Sequence, residues 1–336
     1  MPRSQPPTPE TSRTVTVRGR PQPYLERLPI RGRNYFLLEQ VGNAARQRFR
    51  AFDPYHGPGG DFFLVLRIPK GPDAERQLRV LHRLKHDSLP RVWGWQPTPH
   101  GFDVALSWIE GVTLADYLKH LRGGERPPVA VGEVARLMHG LANGVSRLAN
   151  QLQLAHGDIQ PANVVLTNYP SRLALIDFGS AWTQQAAATR TAGDGHDWHY
   201  AAPELRAPAT PVGFWADQFS VSVLFYELLT LRLPYGGLGG KAGWTEFRER
   251  ARDALVPPSQ VLSAHGELPR SLLAGVDRVV LRGLALDPAD RYPDRSSWLD
   301  DLFELTARFR LPPELSPSEN LLTRVIEWFV KLRRHG

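Results

Sequence analysis

The apolar period of this chain changes near Thr113, and that change limits the folds open to it. Over residues 35–68, short apolar runs are broken by turn clusters at Asp53-Pro54 and Gly57-Pro58-Gly59-Gly60, and residues 102–109 return to a strand-like run before Gly111. Antiparallel strands read this way. Residues 73–84 interrupt them with Leu78, Leu81 and Leu84 at helical spacing. Beyond Thr113 the helical period takes over: Leu137, Leu141, Val145 and Leu148 share one face, residues 221–229 are largely apolar, and residues 276–284 are amphipathic. The pattern predicts an α+β chain in two unequal parts, β-rich over 34–110 and mainly helical over 111–310. No internal repeat with a period of roughly 20–50 residues is visible.

With 336 residues, 42% of them apolar, the chain can bury a sizeable core. It has no cysteine, so packing must do the work, and disulfides, thiolate nucleophiles and zinc ribbons are excluded. The formal charge of +7 sits at the ends. Residues 1–33 hold seven arginines against Glu10 and Glu26, and residues 321–336 hold Arg324, Lys331, Arg333 and Arg334 against Glu327. The body between them is close to neutral, which argues against specific nucleic-acid binding. Residues 1–33, rich in Pro, Arg, Ser and Thr, are expected to form a flexible basic tail. The start has no apolar run behind a basic cluster, and nothing approaches the roughly 18 apolar residues of a spanning helix. A cytoplasmic protein without a transmembrane segment is expected.

Two short segments carry the chemistry. In HGDIQPANVVL, Asp158 and Asn163 stand five apart, and LALIDFGSAW sets Asp177 after an apolar run. Oxygen-bearing side chains of this kind suit a hard cation shared with phosphate oxygens: Asn163 and Asp177 can hold magnesium, leaving Asp158 to orient a hydroxyl nucleophile. Each triplet alone is also a common turn, so the discrimination lies in the ordered set. AAPEL at 201–205, Asp217 within WADQFSVSVLFYELLT and Arg291 within DPADRYPD follow in turn. With them the chain resembles the eukaryotic-like serine/threonine protein kinase superfamily, as a divergent or pseudokinase-like member, over about residues 34–310.

The resemblance implies a two-lobed protein-kinase-like fold, a small β-rich N-lobe and a mainly helical C-lobe, with ATP and Mg2+ as cofactors and a protein as substrate or partner. It implies that Asp158 and Asn163 are catalytic, that Asn163 and Asp177 hold the metal, and that Glu204, Asp217 and Arg291 are buried structural charges, Arg291 pairing with Glu204. Leu106 falls at the gatekeeper place, with the backbone around Ser107 and Ile109 facing adenine.

The resemblance breaks in the nucleotide clamp. VGNAARQRFRAFD keeps only Gly42 of the phosphate-loop glycines, with Ala44 and Gln47 at the other places. Side chains there push the loop away from phosphates; Arg46, Arg48 and Arg50 are alternative sources of charge. In FLVLRIPK the phosphate-binding lysine place aligns with Arg67, and its helix glutamate partner with Gln77. Arginine does not reproduce a point-charge lysine, and Gln77 can offer only an amide oxygen. Gly157 replaces an arginine that receives a loop phosphate in many relatives, so loop phosphorylation is not expected to be required. Gln160 stands where a lysine steadies the transferring phosphoryl, and Asp197 where a threonine contacts that lysine.

Three functions stay open on these residues. The first is Mg-dependent transfer of the ATP γ-phosphoryl to Ser or Thr of a protein. The second is a pseudokinase scaffold that binds a partner with nucleotide optional. The third is a small-molecule phosphotransferase, whose relatives of similar fold carry His-Gly-Asp but usually lack the Ala-Pro-Glu and buried-aspartate set. Residues 311–336 predict a C-terminal amphipathic helix opened by a Ser316/Glu319 capping box. Either it docks on the larger lobe or it binds a partner or membrane surface with Trp328 as anchor.

Overall fold

The computed structural model describes residues 13–42, 47–71, 74–83, 89–151, 153–168, 171–178, 181–183, 196–207, 213–264 and 268–310. The predicted C-terminal helix and all of 311–336 lie outside the described residues, as does Ala44.

The first part of the chain is β-rich. Strands β1 (Thr14–Val17) and β2 (Arg20–Pro23) form a hairpin. Strands β3 (Glu26–Ile30), β4 (Arg33–Gln40), β5 (Arg48–Asp53), β6 (Asp61–Pro69), β7 (Val92–Thr98) and β8 (Gly101–Ser107) form one antiparallel sheet in the order β3-β4-β5-β6-β8-β7. Helix α1 (Ala74–Arg83) connects β6 to β7. Alternation along the strands separates two faces. Phe63, Val65 and Ala105 bury with Leu28, Ile30, Tyr35, Leu37 and Ala51 on one face. Leu64, Leu66, Ile68, Val104 and Leu106 pack on the other, against the core that contains α1 and the helical part.

The flexible tail expected over 1–33 is corrected from Thr14 onward. Val15 and Val17 are buried, as are Leu28 and Ile30, in strict alternation with exposed neighbours. Each pair leads into a two-residue turn, Arg18-Gly19 with φ of 49° and 82°, and Arg31-Gly32 with φ of 48° and 78°. Positive φ at both central residues is what a tight hairpin needs. The four apolar residues offset ordering costs that the Pro- and Arg-rich composition alone would not meet.

The second part is mainly helical: β9 (Val112–Thr113), α2 (Leu114–Arg122), α3 (Val131–Gln151), β10 (Leu154–Ala155), β11 (Val164–Asn168), β12 (Ser171–Leu175), β13 (Trp182–Thr183), α4 (Phe214–Thr230), α5 (Arg248–Arg252), α6 (Arg270–Gly283) and α7 (Arg295–Arg310). The Thr113 hydroxyl caps α2 by accepting from the Asp116 amide at 3.1 Å. Helix α3 buries Leu137, Leu141, Val145 and Leu148 and packs on α4, α7 and β12. Strands β12, β11 and β9 form a small antiparallel sheet that carries the polar loops described below.

Buried charges tie this part together. Arg291 is 1% exposed; its guanidinium donates to both Glu204 carboxylate oxygens at 2.8 and 2.9 Å and to the carbonyls of Trp215, Ala285 and Leu286. This is the pair expected from sequence. Glu227, inside α4, accepts from the Tyr200 hydroxyl at 2.9 Å and pairs with Arg122. Among the described residues, no helix is long and apolar enough to cross a membrane.

Candidate active site

The β11–β12 hairpin brings the two chemical segments together. Asn163 precedes β11, Ile176 follows β12, and the Ile176 amide donates to the Asn163 carbonyl at 2.9 Å. Asp158 and Asn163 are both buried. The Asn163 Nδ2 donates to Asp158 Oδ2 and to the Asp158 carbonyl, each at 2.9 Å. That leaves Asn163 Oδ1 as the side-chain atom with cation-binding capacity. Gln160 Nε2 donates to Asp158 Oδ1 at 2.8 Å. The amide at the expected lysine place thus steadies the carboxylate without supplying charge.

This loop is held from below. Asp217 of α4 is fully buried and accepts from the amides of His156 at 2.7 Å and Gly157 at 2.9 Å. Burial pushes its carboxyl up to about 6, against the two amide bonds, which favour the charged form. Gly157 takes φ of 73°, a conformation that disfavours a side chain. His156 is wholly buried, and burial lowers its pKa, favouring the neutral ring. With Nε2 donating to the Ile176 carbonyl at 3.0 Å, Nδ1 is the acceptor facing the Asp158 amide. Phe178 packs edge-on against His156, with ring centroids 4.9 Å apart. Asp177, between Ile176 and Phe178, adopts φ of 63°, which aspartate tolerates better than most residues.

A cavity of about 220 Å³ opens above this hairpin, between the sheet and the helical part. Gly42, Leu64, Leu66, Leu106, Ser107, Trp108, Ile109, Gln77, Arg48 and Asp177 are among its lining residues. The hinge residues expected from sequence therefore edge it, as does Gln77 from α1. Leu106 and Leu64 are cross-strand partners on its wall. A wider cavity of about 770 Å³ meets it at Arg48, Leu66, Gln77 and Asp177, and Gln47 and Arg67 border that one.

The structure corrects the placement of Arg67. Leu64 and Leu66 face the smaller cavity, so Arg67, one residue on, lies on the opposite sheet face with Phe63 and Val65. There its guanidinium pairs with Glu26 at 2.7 Å and Asp103 at 3.4 Å and lies over the Phe49 ring. Burial raises the Asp103 carboxyl, an effect that Arg67 opposes. Leu66 takes the cleft-facing place. Directly across the β5/β6 ladder stands Arg48, whose guanidinium pairs with the Asp177 carboxylate. Parity relative to Leu106 is the signal that would have located Leu66. Phe62 to Ile68 is apolar on both faces apart from Arg67, so polarity alone does not set that parity.

The protein kinase domain family matches residues 69–294 of the chain. The chain belongs to this family. The match begins at Pro69, after the strands that carry Arg48 and Leu66. Among curated relatives, the serine/threonine-protein kinase PknB of Mycobacterium tuberculosis is 28% identical over 256 residues, covering 71% of this kinase chain and 37% of PknB. The tyrosine-protein kinase MasK of Myxococcus xanthus is 26% identical over 234 residues, covering 67% of this chain and 34% of MasK. The chain thus spans little more than a third of the length of these relatives. The crystal structure of the PknI kinase domain of Mycobacterium tuberculosis aligns with a TM-score of 0.54 at 23% identity, covering 83% of this chain and 97% of that one. That likeness shows the two-lobed kinase fold.

Proposed function

We propose that this kinase-family chain transfers the γ-phosphoryl group of Mg-ATP to a serine or threonine hydroxyl of a protein. The observation that carries the reading is that one hairpin holds the hydrogen-bonded Asp158–Asn163 pair next to Asp177, which lines a cavity edged by the hinge. Asn163 Oδ1 and the Asp177 carboxylate are hard oxygen donors that fit magnesium completed by phosphate oxygens. Among the described residues there is no group of three or more His, Cys, Asp or Glu to serve a cation without such oxygens. Bound magnesium would supply positive charge where the phosphates accumulate negative charge. The apolar walls at Leu64, Leu66 and Leu106 suit the adenine face.

Asp158 accepts the acceptor hydroxyl proton while that oxygen bonds the γ-phosphorus; the bond to the bridging oxygen breaks and ADP leaves with the electron pair. Asn163 and Gln160 hold the two carboxylate oxygens in place for this. Gln160 brings no charge to the transferring group, so slow turnover is expected. Similarity to the serine/threonine-protein kinase PknB supports a serine or threonine acceptor.

A second reading is a nucleotide-optional scaffold, favoured by the apolar Leu66 at the cation place and by the Arg48–Asp177 pair. Incubation with Mg-ATP and a generic protein acceptor separates the two. Phosphoserine or phosphothreonine on the acceptor with wild type, and none with Asp158→Asn, supports transfer. Phosphotyrosine alone corrects the acceptor class. No phosphoamino acid favours the scaffold.

A further inference from the structure

Arg48 is the only basic side chain among the described residues lining the smaller cavity. Arg46 lies outside the described residues; of the other described candidates, Arg67 is engaged on the far sheet face with Glu26 and Asp103, and Arg50 with Glu39 and over the Phe62 and Trp108 rings. The two positions that would form an ion pair in this cleft, Leu66 and Gln77, are both uncharged. Loss of one partner without the other would leave a charge in the cleft with nothing opposite it. Here both are missing together, and a single cation enters from the neighbouring strand instead.

Resting on the kinase reading, we propose that Arg48 is the phosphate-contacting cation of this nucleotide site, relocated by one strand from β6 to β5. Cross-strand partners have Cβ atoms about 5 Å apart, so moving the charge from residue 66 to residue 48 displaces its root by about one strand spacing. The reach of an arginine makes up that distance, and its planar fork is suited to phosphate oxygens. Arg48 is 15% exposed on its side chain and Asp177 8%. A charge held so far from water needs an anionic partner. In this structure that partner is Asp177. Asp177 would hold magnesium through the same carboxylate, and the phosphate oxygens of a bound nucleotide would then be the anions available to Arg48. Gly42, with φ of 73°, lies beside this route: a side chain there would come within 3.9 Å of the Arg48 guanidinium.

The test is binding of two probes, Mg-ADP and adenosine, to wild type, Arg48→Ala and the length-preserving Arg48→Met by calorimetry. A charged contact to phosphate predicts that both variants weaken Mg-ADP about 10–100-fold while adenosine affinity stays within about twofold. Adenosine binding also reports that the variants fold. Adding Leu66→Lys to Arg48→Ala returns the charge to β6 and is expected to recover most of the Mg-ADP affinity. Mg-ADP binding in the variants as tight as or tighter than in wild type overturns the proposal, making Arg48 only a competitor for Asp177, and leaves the kinase reading standing. If wild type binds neither Mg-ADP nor Mg-ATP, the kinase reading itself fails and the Arg48 assignment with it.

Discussion

The two lobes build their sides of the cleft differently. In the helical lobe, Asp158, Asn163 and Asp177 sit on loops pinned by a short hairpin and by Asp217 from below. In the sheet lobe, the cation place is Leu66, its helix partner is Gln77, and the charge comes from Arg48 on the next strand. The hairpin and the buried Asp217 hold the loop of Asp158 to one local arrangement, and the buried charges there hold the lobe together, so substitutions are costly. A sheet wall needs only the right charge within reach, and neighbouring strands can exchange that duty. The kinase match starting at Pro69 leaves out β1 to β5, with Arg48, and β6 up to Ile68, but includes Gln77, β7 and β8.

The contrast can be broken from either side. The largest effect is expected from Asp158→Asn, which keeps the side-chain shape and one of the two oxygens that accept from Asn163 and Gln160 but cannot take a proton; turnover should fall about 10²–10⁴-fold with little change in nucleotide affinity. A similar loss from Arg67→Ala would return the phosphate contact to β6. Arg291→Ala leaves Glu204 without its partner and should lower stability by about 3–5 kcal/mol in urea unfolding.

Asp217 adds a pH signature. Its folded-state pKa of about 6 lies above the ordinary carboxylate value near 4, so its contribution to stability is fully present below that lower value and is lost as pH rises through about 6. The difference in melting temperature between wild type and Asp217→Asn should therefore shift against wild type between about pH 4 and pH 7; a pH-independent difference would contradict it. The smallest effect is expected from Arg67→Ala: about 1–3 kcal/mol of stability, because Asp103 loses its partner, and Mg-ADP affinity unchanged.

The legible and illegible parts of the sequence follow the same division. Residues 156–163 and 176–178 announce themselves because their polar atoms must bond within a few residues of one another, and Glu204, Asp217 and Arg291 because buried charges must be paired. The N-terminal strands were hidden by composition, since Arg-Gly is not the usual pair for a tight hairpin turn and the alternation of Val15, Val17, Leu28 and Ile30 is short. The parity of β6 was hidden because both of its faces are apolar; a one-residue slip exchanges Leu66 for Arg67 and reverses the reading of the clamp. Arg48 could be seen as one of three nearby arginines; the β5/β6 register sets it opposite Leu66 and Arg50 opposite Leu64, while Arg46 lies outside the described residues.

The most direct measurement is the intact mass of purified wild-type and Asp177→Ala protein after incubation with Mg-ATP, with and without a protein acceptor. Phosphate added to wild type or to the acceptor, and absent with Asp177→Ala, is the predicted result: the helical lobe still runs phosphoryl transfer through a rearranged clamp. No added phosphate with wild type, together with no thermal shift from Mg-ATP, would contradict it and leave a scaffold built on a kinase fold.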